Sequence, residues 1–239
     1  MEDPTEFMRT LELRYLQSSG LSDRAWYKIF YCQLRPAPLL LLGLNPGGDP
    51  ANTTSDGTRH FTGEIAAASP GLYENGEHDL LDCSWKENIG LKKLLLPLFG
   101  NEEKIRRQVV KTNLAFRRSS RATKINMKNA MAEAVPFLAD IIGYVKPRVV
   151  ILTGGTISEF SRIFCRTSES LEEAQKDQNI GHVVFEAAKA ELGNHQTTLL
   201  IRVDSASQFS WTYERYDVAN RILKHCRHMG IDLNRAYET

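Results

Sequence analysis

Three short polar segments, each following an apolar run, carry the side chains best suited to chemistry. They are residues 43–49 (GLNPGGD), 111–117 (KTNLAFR) and 204–209 (DSASQF). Asn45 in the first segment has a neutral amide, which can hold a water molecule but cannot act as a strong base. Asn113 in the second segment offers two donors and an acceptor, a set that suits the edge of a pyrimidine.

The third segment joins a carboxylate to small hydroxyl side chains and an apolar tip. Asp204 opens it, Ser205 and Ser207 could hold phosphates, and Gln208 or Phe209 could enter a stack of bases. Each of the three segments also has a purely structural explanation, namely a strand-to-loop bend, a bridging amide and a helix N-cap, respectively. Their combination is what favours a site.

The elements that must position these segments alternate between helices and strands. We expect helices at 5–19, 22–32, 86–99, 127–144, 156–165 and 211–228, strands at 39–44, within 107–114, and at 149–152, 182–185 and 197–203, and a turn or short helix at 187–191. This alternation predicts a three-layer α/β/α fold around a central, mostly parallel sheet of four or five strands. Ligands of such sheets bind at the carboxyl ends of the strands, where all three polar segments would lie.

Composition favours a single globular domain. The chain has 239 residues, 42% hydrophobic and 25% charged, with a formal net charge of +1. We expect helices in residues 1–36 and the functional core in residues 38–228. The longest apolar run is too short to cross a bilayer, and the acidic N-terminus is not typical of a signal peptide. The four cysteines are scattered without a C-x-x-C pair, so we expect reduced thiols in a cytoplasmic protein that holds no metal or cofactor: Cys32, Cys83, Cys165 and Cys226.

A basic segment accompanies the second polar segment. Residues 104–128 contain nine lysines and arginines and no acidic residue, which is typical of a surface that contacts nucleic-acid phosphates. The alternative is a solvated basic surface that is balanced by acids elsewhere. Four members are predicted to contact phosphates: Lys111, Arg117, Arg118 and Arg121.

Together the three segments resemble the uracil-DNA glycosylase superfamily, over about residues 38–225. The run Gly-Leu-Asn-Pro-Gly at 43–47 is its most specific part and is similar to the first motif of the mismatch-specific thymine/uracil branch. The resemblance implies that Asn45 positions the attacking water, that Asn113 reads the flipped base, and that residues 204–209 form the minor-groove loop. It also implies a base pocket lined by Gly43, Leu44, Pro46 and Gly47.

Two further features follow from this resemblance. The long polar segment 49–84 would supply the aromatic ring that stacks on the base, with Phe61 as the first choice and Tyr73 as the second. Asp204 stands where the family usually has His or Asn, and no proline follows it. Asp49 or Asp204 would supply the carboxylate character that Asn45 lacks.

The expected function is therefore that of a monomeric, monofunctional DNA glycosylase that leaves an abasic site. Its target by resemblance is uracil or thymine in a mismatch, which implies repair. A modified cytosine of phage DNA is the other target, because a long polar segment over the pocket could admit a larger base, and it would imply antiviral defence. The alternatives are an inactive module of this fold that binds DNA or a modified base, and a nucleotide-handling enzyme. The usual phosphate-binding loops of the latter are missing from the sequence.

Overall fold

A computed structural model describes residues 3–21, 27–46, 81, 86–118, 126–179, 181–206 and 210–235. The helices of this part of the chain are α1 (Pro4–Ser19), α2 (Lys86–Phe99), α3 (Glu102–Gln108), α4 (Met127–Val145), α5 (Ile157–Phe164), α6 (Trp211–Arg215) and α7 (Val218–His228). The strands are β1 (Leu39–Gly43), β2 (Val109–Asn113), β3 (Val149–Thr153), β4 (Cys165–Lys176), β5 (Val183–Leu192) and β6 (Thr197–Val203).

The six strands form one sheet in the order β2-β1-β3-β6-β5-β4. Strands β2, β1, β3 and β6 run parallel, β5 is antiparallel to β6, and β4 is antiparallel to β5. The predicted α/β architecture with a central, mostly parallel sheet is therefore confirmed. The predicted number of four or five strands is wrong, since the sheet has six strands within the described residues alone.

The parallel strands are covered on both faces. Every residue of β1, β2 and β3 is buried, as expected for strands that lie between two layers of helices. Leu40 and Leu42 belong to a core cluster with residues of α1, α4 and α5. Leu39 and Leu41 belong to a second cluster with residues of α2, α6 and α7. Alternate side chains of β1 thus pack against the two helix layers on opposite faces of the sheet.

The antiparallel half of the sheet differs from prediction. Residues 182–185 and 187–191 were expected to be a short strand followed by a turn or helix, but they belong to the single strand β5. Pairing along the whole of β6 explains this, with Phe185 opposite Val203 and Glu191 opposite Thr197. Strand β4 was not predicted because most of its side chains are exposed and polar. Its backbone pairing with β5, rather than a buried face, makes it a strand.

The N-terminal region also contains a wrong prediction. A helix was expected at 22–32, yet residues 27–32 are not helical. Tyr27 forms a β-bridge with Arg117, and the amide of Lys28 donates a hydrogen bond to the carbonyl of Phe116. This segment therefore lies beside the chain that follows β2, and these tertiary contacts outweigh its local helix pattern.

One helix and one break between helices were not predicted from the sequence. Helix α3 was not predicted; it starts where the Asn101 side chain accepts a hydrogen bond from the amide of Lys104, at 2.9 Å. The single helix expected at 211–228 is divided into α6 and α7 at Asp217, whose φ is +51°. No helix of the described residues has the length and apolarity needed to span a membrane.

Candidate functional site at the carboxyl edge of the sheet

The four parallel strands end at the same edge of the sheet. In the pairing register Gly43 lies beside Asn113 on one side and Thr153 on the other, and Thr153 lies beside Val203. Asp204 follows Val203 directly. Adjacent strands are about 4.8 Å apart, so the ends of β2 and β6 are separated by roughly 14 Å. The edge therefore carries one group of polar residues near Asn113 and another near Asp204.

Asn113 is held in one position by contacts on two sides. Its side chain is buried and covers Gly43, because a Cβ atom built on Gly43 would lie well under 3.0 Å from Asn113 Oδ1. Asn113 Nδ2 donates a hydrogen bond of 2.8 Å to the hydroxyl of Tyr31. Glycine at position 43 thus permits the close approach, and Tyr31 fixes which way the amide points.

Charged groups lie around Tyr31, the hydrogen-bond partner of this amide. Lys111, two residues earlier on the same face of β2, has a side chain that is only 1% exposed, and its Nζ lies 3.1 Å from Oε1 of Glu87. The ammonium groups of Lys28 and Lys111 lie 4.2 and 4.1 Å from the centre of the Tyr31 ring, within cation–π range. We refer to Lys28, Tyr31, Glu87, Lys111 and Asn113 as the Asn113 cluster.

Sequence reasoning identified only part of this cluster. Lys111 and Asn113 alternate along one strand, so their shared face follows from the sequence. Lys28, Tyr31 and Glu87 were missed. Lys28 and Tyr31 lie in the segment that was expected to be helical, and Glu87 is an ordinary acidic residue in the first turn of α2. No local signal marks any of the three.

The first polar segment is held against the second by backbone hydrogen bonds. The amide of Leu114 donates to the carbonyl of Gly43 at 2.8 Å, and the amide of Ala115 donates to the carbonyl of Leu44 at 2.9 Å. The pairing of β1 and β2 thus continues past the strands. Asn45 Nδ2 donates to the carbonyl of Pro46 at 2.9 Å, so the Asn45 amide stabilises the bend of its own loop.

Asp204 lies at the other end of the site and is 6% exposed. Its Oδ1 accepts a hydrogen bond of 2.8 Å from the amide of Ser205 and lies 3.5 Å from Nδ1 of His182. Its Oδ2 is buried and has no hydrogen-bond partner among the residues that the structure describes. A cleft of about 550 Å³ adjoins it and is lined by Gly154, Lys176, Gly181, His182, Val183, Arg202, Val203, Asp204 and Ser205.

The backbone at Asp204 is anchored by Tyr213 of α6. The Tyr213 hydroxyl donates a hydrogen bond of 2.7 Å to the carbonyl of Asp204. Burial raises the pKa of Tyr213 well above its usual value, and the negative charges of Asp204 and Glu87 raise it further. Tyr213 therefore remains a protonated donor throughout the physiological range.

Helix α2 contacts both ends of the site. Glu87 in its first turn pairs with Lys111. One turn further along, a Cβ atom built on Gly90 would lie under 3.0 Å from the backbone carbonyl of Ala206 and 2.8 Å from Ser210 Cβ. The missing side chain at Gly90 lets the chain that follows β6 pack directly on α2. This helix therefore sets the spacing between the Asn113 cluster and Asp204.

Several predicted phosphate contacts have other roles. The Lys111 side chain is buried. Arg118 is 3% exposed, and its Nε donates to the carbonyl of Tyr27 at 3.2 Å. Arg117 makes a two-pronged ion pair with Glu133, with its Nη2 2.6 Å from Oε2. These placements do not fit surface contacts to DNA, because each group is enclosed by or paired with the protein.

The described residues of the basic segment also do not form one surface beside the site. Arg106 and Arg107 belong to α3, where they pair with Glu102 and Glu103 one turn earlier. Helix α3 precedes β2, so it lies at the opposite edge of the sheet from Asn113. For α3, the basic residues are therefore explained by a surface that is balanced by nearby acidic residues, the alternative to phosphate contact.

Part of the predicted site lies outside the described residues. Among the described ones, Gly43, Leu44, Asn45, Pro46, Asn113, Asp204 and Ser205 all lie at the carboxyl edge of the sheet. The predicted residues that are not described are Gly47, Asp49, Phe61, Tyr73, Arg121, Ser207, Gln208 and Phe209.

The fold and this edge define a class: a three-layer α/β/α protein with a polar site where its parallel strands end. Within the part of the chain that the structure describes, no group of three or more His, Cys, Asp or Glu is arranged to hold a metal ion. No protein-family model matches the chain, and no curated protein is significantly similar to it.

Proposed function

We propose that this chain is a monofunctional DNA glycosylase, which flips a pyrimidine out of DNA and hydrolyses its N-glycosidic bond. The observation that carries the proposal is the packing of Asn113 on Gly43 at the carboxyl edge of the sheet. A buried amide that is oriented by another side chain is the kind of group that discriminates bases by their hydrogen-bonding edge. The product is an abasic site.

Each end of the site has a part in the proposed reaction. Asn113 binds the edge of the flipped base, in an orientation maintained by Tyr31. Asn45 holds the water that attacks the sugar carbon. Positive charge grows on the sugar while the base leaves with the bonding electrons. Charged groups at the Asp204 end of the site would stabilise this separation of charge in the transition state. The cleft beside Asp204 has a volume in the range of small-molecule sites.

The proposal covers two classes of target. One is uracil or thymine in a mismatch, which would make the protein a repair enzyme. The other is hydroxymethylated or glucosylated cytosine in phage DNA, which would make it a defence enzyme. The stacking ring is assigned to Phe61 or Tyr73, and both lie outside the described residues. We further propose that the protein acts as a cytoplasmic monomer with DNA as its partner.

A module of the same fold that binds a base without cutting it is the second candidate. The observation that favours it is the hydrogen bond from Asn45 to the carbonyl of Pro46, which occupies part of the amide assigned to the water. In this case Asn113 would still bind the base, but substitution of Asn45 would leave the biological effect intact.

Incubation of the pure protein with labelled DNA duplexes, followed by hot alkali, tests the proposal. The panel carries uracil, G·T and G·U mismatches, hydroxymethylcytosine and glucosylated cytosine, and each is treated with wild-type protein and with Asn45→Ala. Strand breaks with one base, lost in the variant, would support the glycosylase and name its target. Binding of DNA without any break would favour the binding module instead.

A further inference from the structure

Glu87 is the most accessible member of the Asn113 cluster. Its side chain is 35% exposed, whereas that of Lys111 beside it is only 1% exposed. Lys28, Tyr31 and Asn113 are buried as well. A molecule that binds at this edge of the sheet would therefore meet the Glu87 carboxylate before the other side chains of the cluster.

The Glu87 carboxylate and the Asn113 amide oxygen lie beside the same glycine. A Cβ atom built on Gly43 would be 3.7 Å from Oε1 of Glu87 and still nearer to Oδ1 of Asn113. The hydrogen bond from Asn113 Nδ2 to the Tyr31 hydroxyl holds the amide with its oxygen on the glycine side. Two hydrogen-bond acceptors therefore line the space next to Gly43.

The position of the carboxylate is set from two sides. Nζ of the buried Lys111 lies 3.1 Å from Oε1 of Glu87, and its positive charge stabilises a carboxylate next to a second oxygen. Helix α2 carries Glu87 and packs at Gly90 directly on the chain after β6. A carboxylate has about four acceptor sites, so the pair with Lys111 leaves acceptor capacity for a ligand.

Two neighbouring acceptors match an amino group. The N4 amino group of cytosine carries two N–H donors on one atom, and a carboxylate is a regular protein partner of that group. Uracil and thymine have a carbonyl oxygen in its place, and their one ring N–H lies between two carbonyls. Such an oxygen against Glu87 would bring two acceptors together without a donor, which costs binding free energy.

We propose that Glu87 is a specificity-determining residue that selects a base with an exocyclic amino group, so that the substrate is a cytosine derivative rather than uracil or thymine. This inference rests on the proposed glycosylase function. The amino group of the flipped base donates to Glu87 and to Oδ1 of Asn113, while Lys111 keeps the carboxylate in place. Of the two classes of target, modified cytosine is the one that fits this pair of acceptors.

Matched pairs of DNA duplexes test the selection in single-turnover assays. The two members of a pair differ only at C4 of the base: cytosine with uracil, hydroxymethylcytosine with hydroxymethyluracil, and the glucosylated form of each hydroxymethylated base. All are placed opposite guanine, where the uracil member is mismatched and easier to flip, so a preference for the amino member cannot come from pairing. In the pair on which the protein acts, we expect wild type to release the amino member at least about 10-fold faster.

Substitution Glu87→Gln tests the residue. Its amide can turn an N–H towards a carbonyl, so the ratio of amino to carbonyl release should fall by about 10-fold. Flipping costs are the same for both proteins and cancel in this comparison. Glu102→Gln is the matched control, since Glu102 also opens a helix and pairs with a lysine, Lys92, at 2.6 Å; it should keep the wild-type ratio.

The possible results separate the inference from the proposed function. Equal or faster release of the uracil member by wild type, or an unchanged ratio in Glu87→Gln, would overturn the role of Glu87 while the glycosylase stands. If urea denaturation shows that Glu87→Gln is unfolded, Glu87→Asp replaces it: this variant keeps a charge for Lys111, and its shorter side chain should also lower the ratio. A wild-type protein that releases no base from any duplex would overturn the glycosylase and this inference together.

Discussion

Asn113 occupies the space that a side chain at Gly43 would need. A Cβ atom at residue 43 would lie well under 3.0 Å from Asn113 Oδ1, and the strand register places the two residues side by side. Asn113 is 1% exposed and its amide donates a hydrogen bond to Tyr31, so a side chain at residue 43 would compete with a group that is already held in place. The glycine at the end of β1 and the amide at the end of β2 therefore depend on each other.

Substitution Gly43→Ala should impair the site more than the fold. The new methyl group must displace the Asn113 amide, and a displacement of about 1 Å at a reacting centre can cost on the order of 100-fold in rate. We expect such a loss in base release with the α/β circular dichroism retained. Gly143→Ala in α4 is the control, since a Cβ there meets nothing within 4 Å. The idea fails if both variants keep full activity.

Substitution Gly90→Ala should weaken the contact between α2 and the chain that follows β6. The methyl group would collide with the backbone carbonyl of Ala206, which cannot rotate away as a side-chain end can. Overpacking of this kind costs about 1–3 kcal/mol. Urea denaturation should show a loss of this size. A stability equal to that of wild type would contradict this prediction, because it would mean that the chain after β6 moves to accommodate the methyl group at no cost.

Arg117→Ala should lower stability without changing the salt dependence of DNA binding. The guanidinium pairs with Glu133, and this hydrogen bond raises the pKa of Arg117 although burial acts in the opposite sense. Its removal should cost about 1 kcal/mol, given its partial exposure. DNA affinity is then measured against salt concentration. If Arg117 did contact a phosphate, the slope would fall by about 0.9.

Cys226 should make stability depend on alkaline pH. Burial raises the pKa of this thiol from 9.0 to about 12 in the folded protein. The folded-state pKa is the higher one, so the thiol's contribution is complete below pH 9 and is lost as pH rises towards 12. The free energy of unfolding of wild type relative to Cys226→Val should fall by about 1 kcal/mol between pH 8 and pH 10. Urea melts at both pH values measure it, and a constant difference would contradict the prediction.

The order of helices and strands was largely determined by the sequence alone. Apolar runs such as 39–42 and 149–152 mark buried parallel strands, and the apolar spacing within 127–144 marks a helix, because burial of one face requires these periods. The placement of Asn45 and Asp204 after strands, and of Asn113 within one, followed from the same pattern. The sequence therefore located the edge of the sheet at which these side chains lie.

The partners of these side chains were decided only by the tertiary structure. The hydrogen bond between Asn113 and Tyr31 joins residues 82 positions apart, and no local pattern could relate them. Strand β4 exists through its pairing with β5. The contacts of Arg117 with Glu133 and of His182 with Asp204 arise in the same way. Charge and hydrogen bonding act through space, so whether a basic or acidic side chain is paired, buried or available to a ligand depends on what the fold brings beside it.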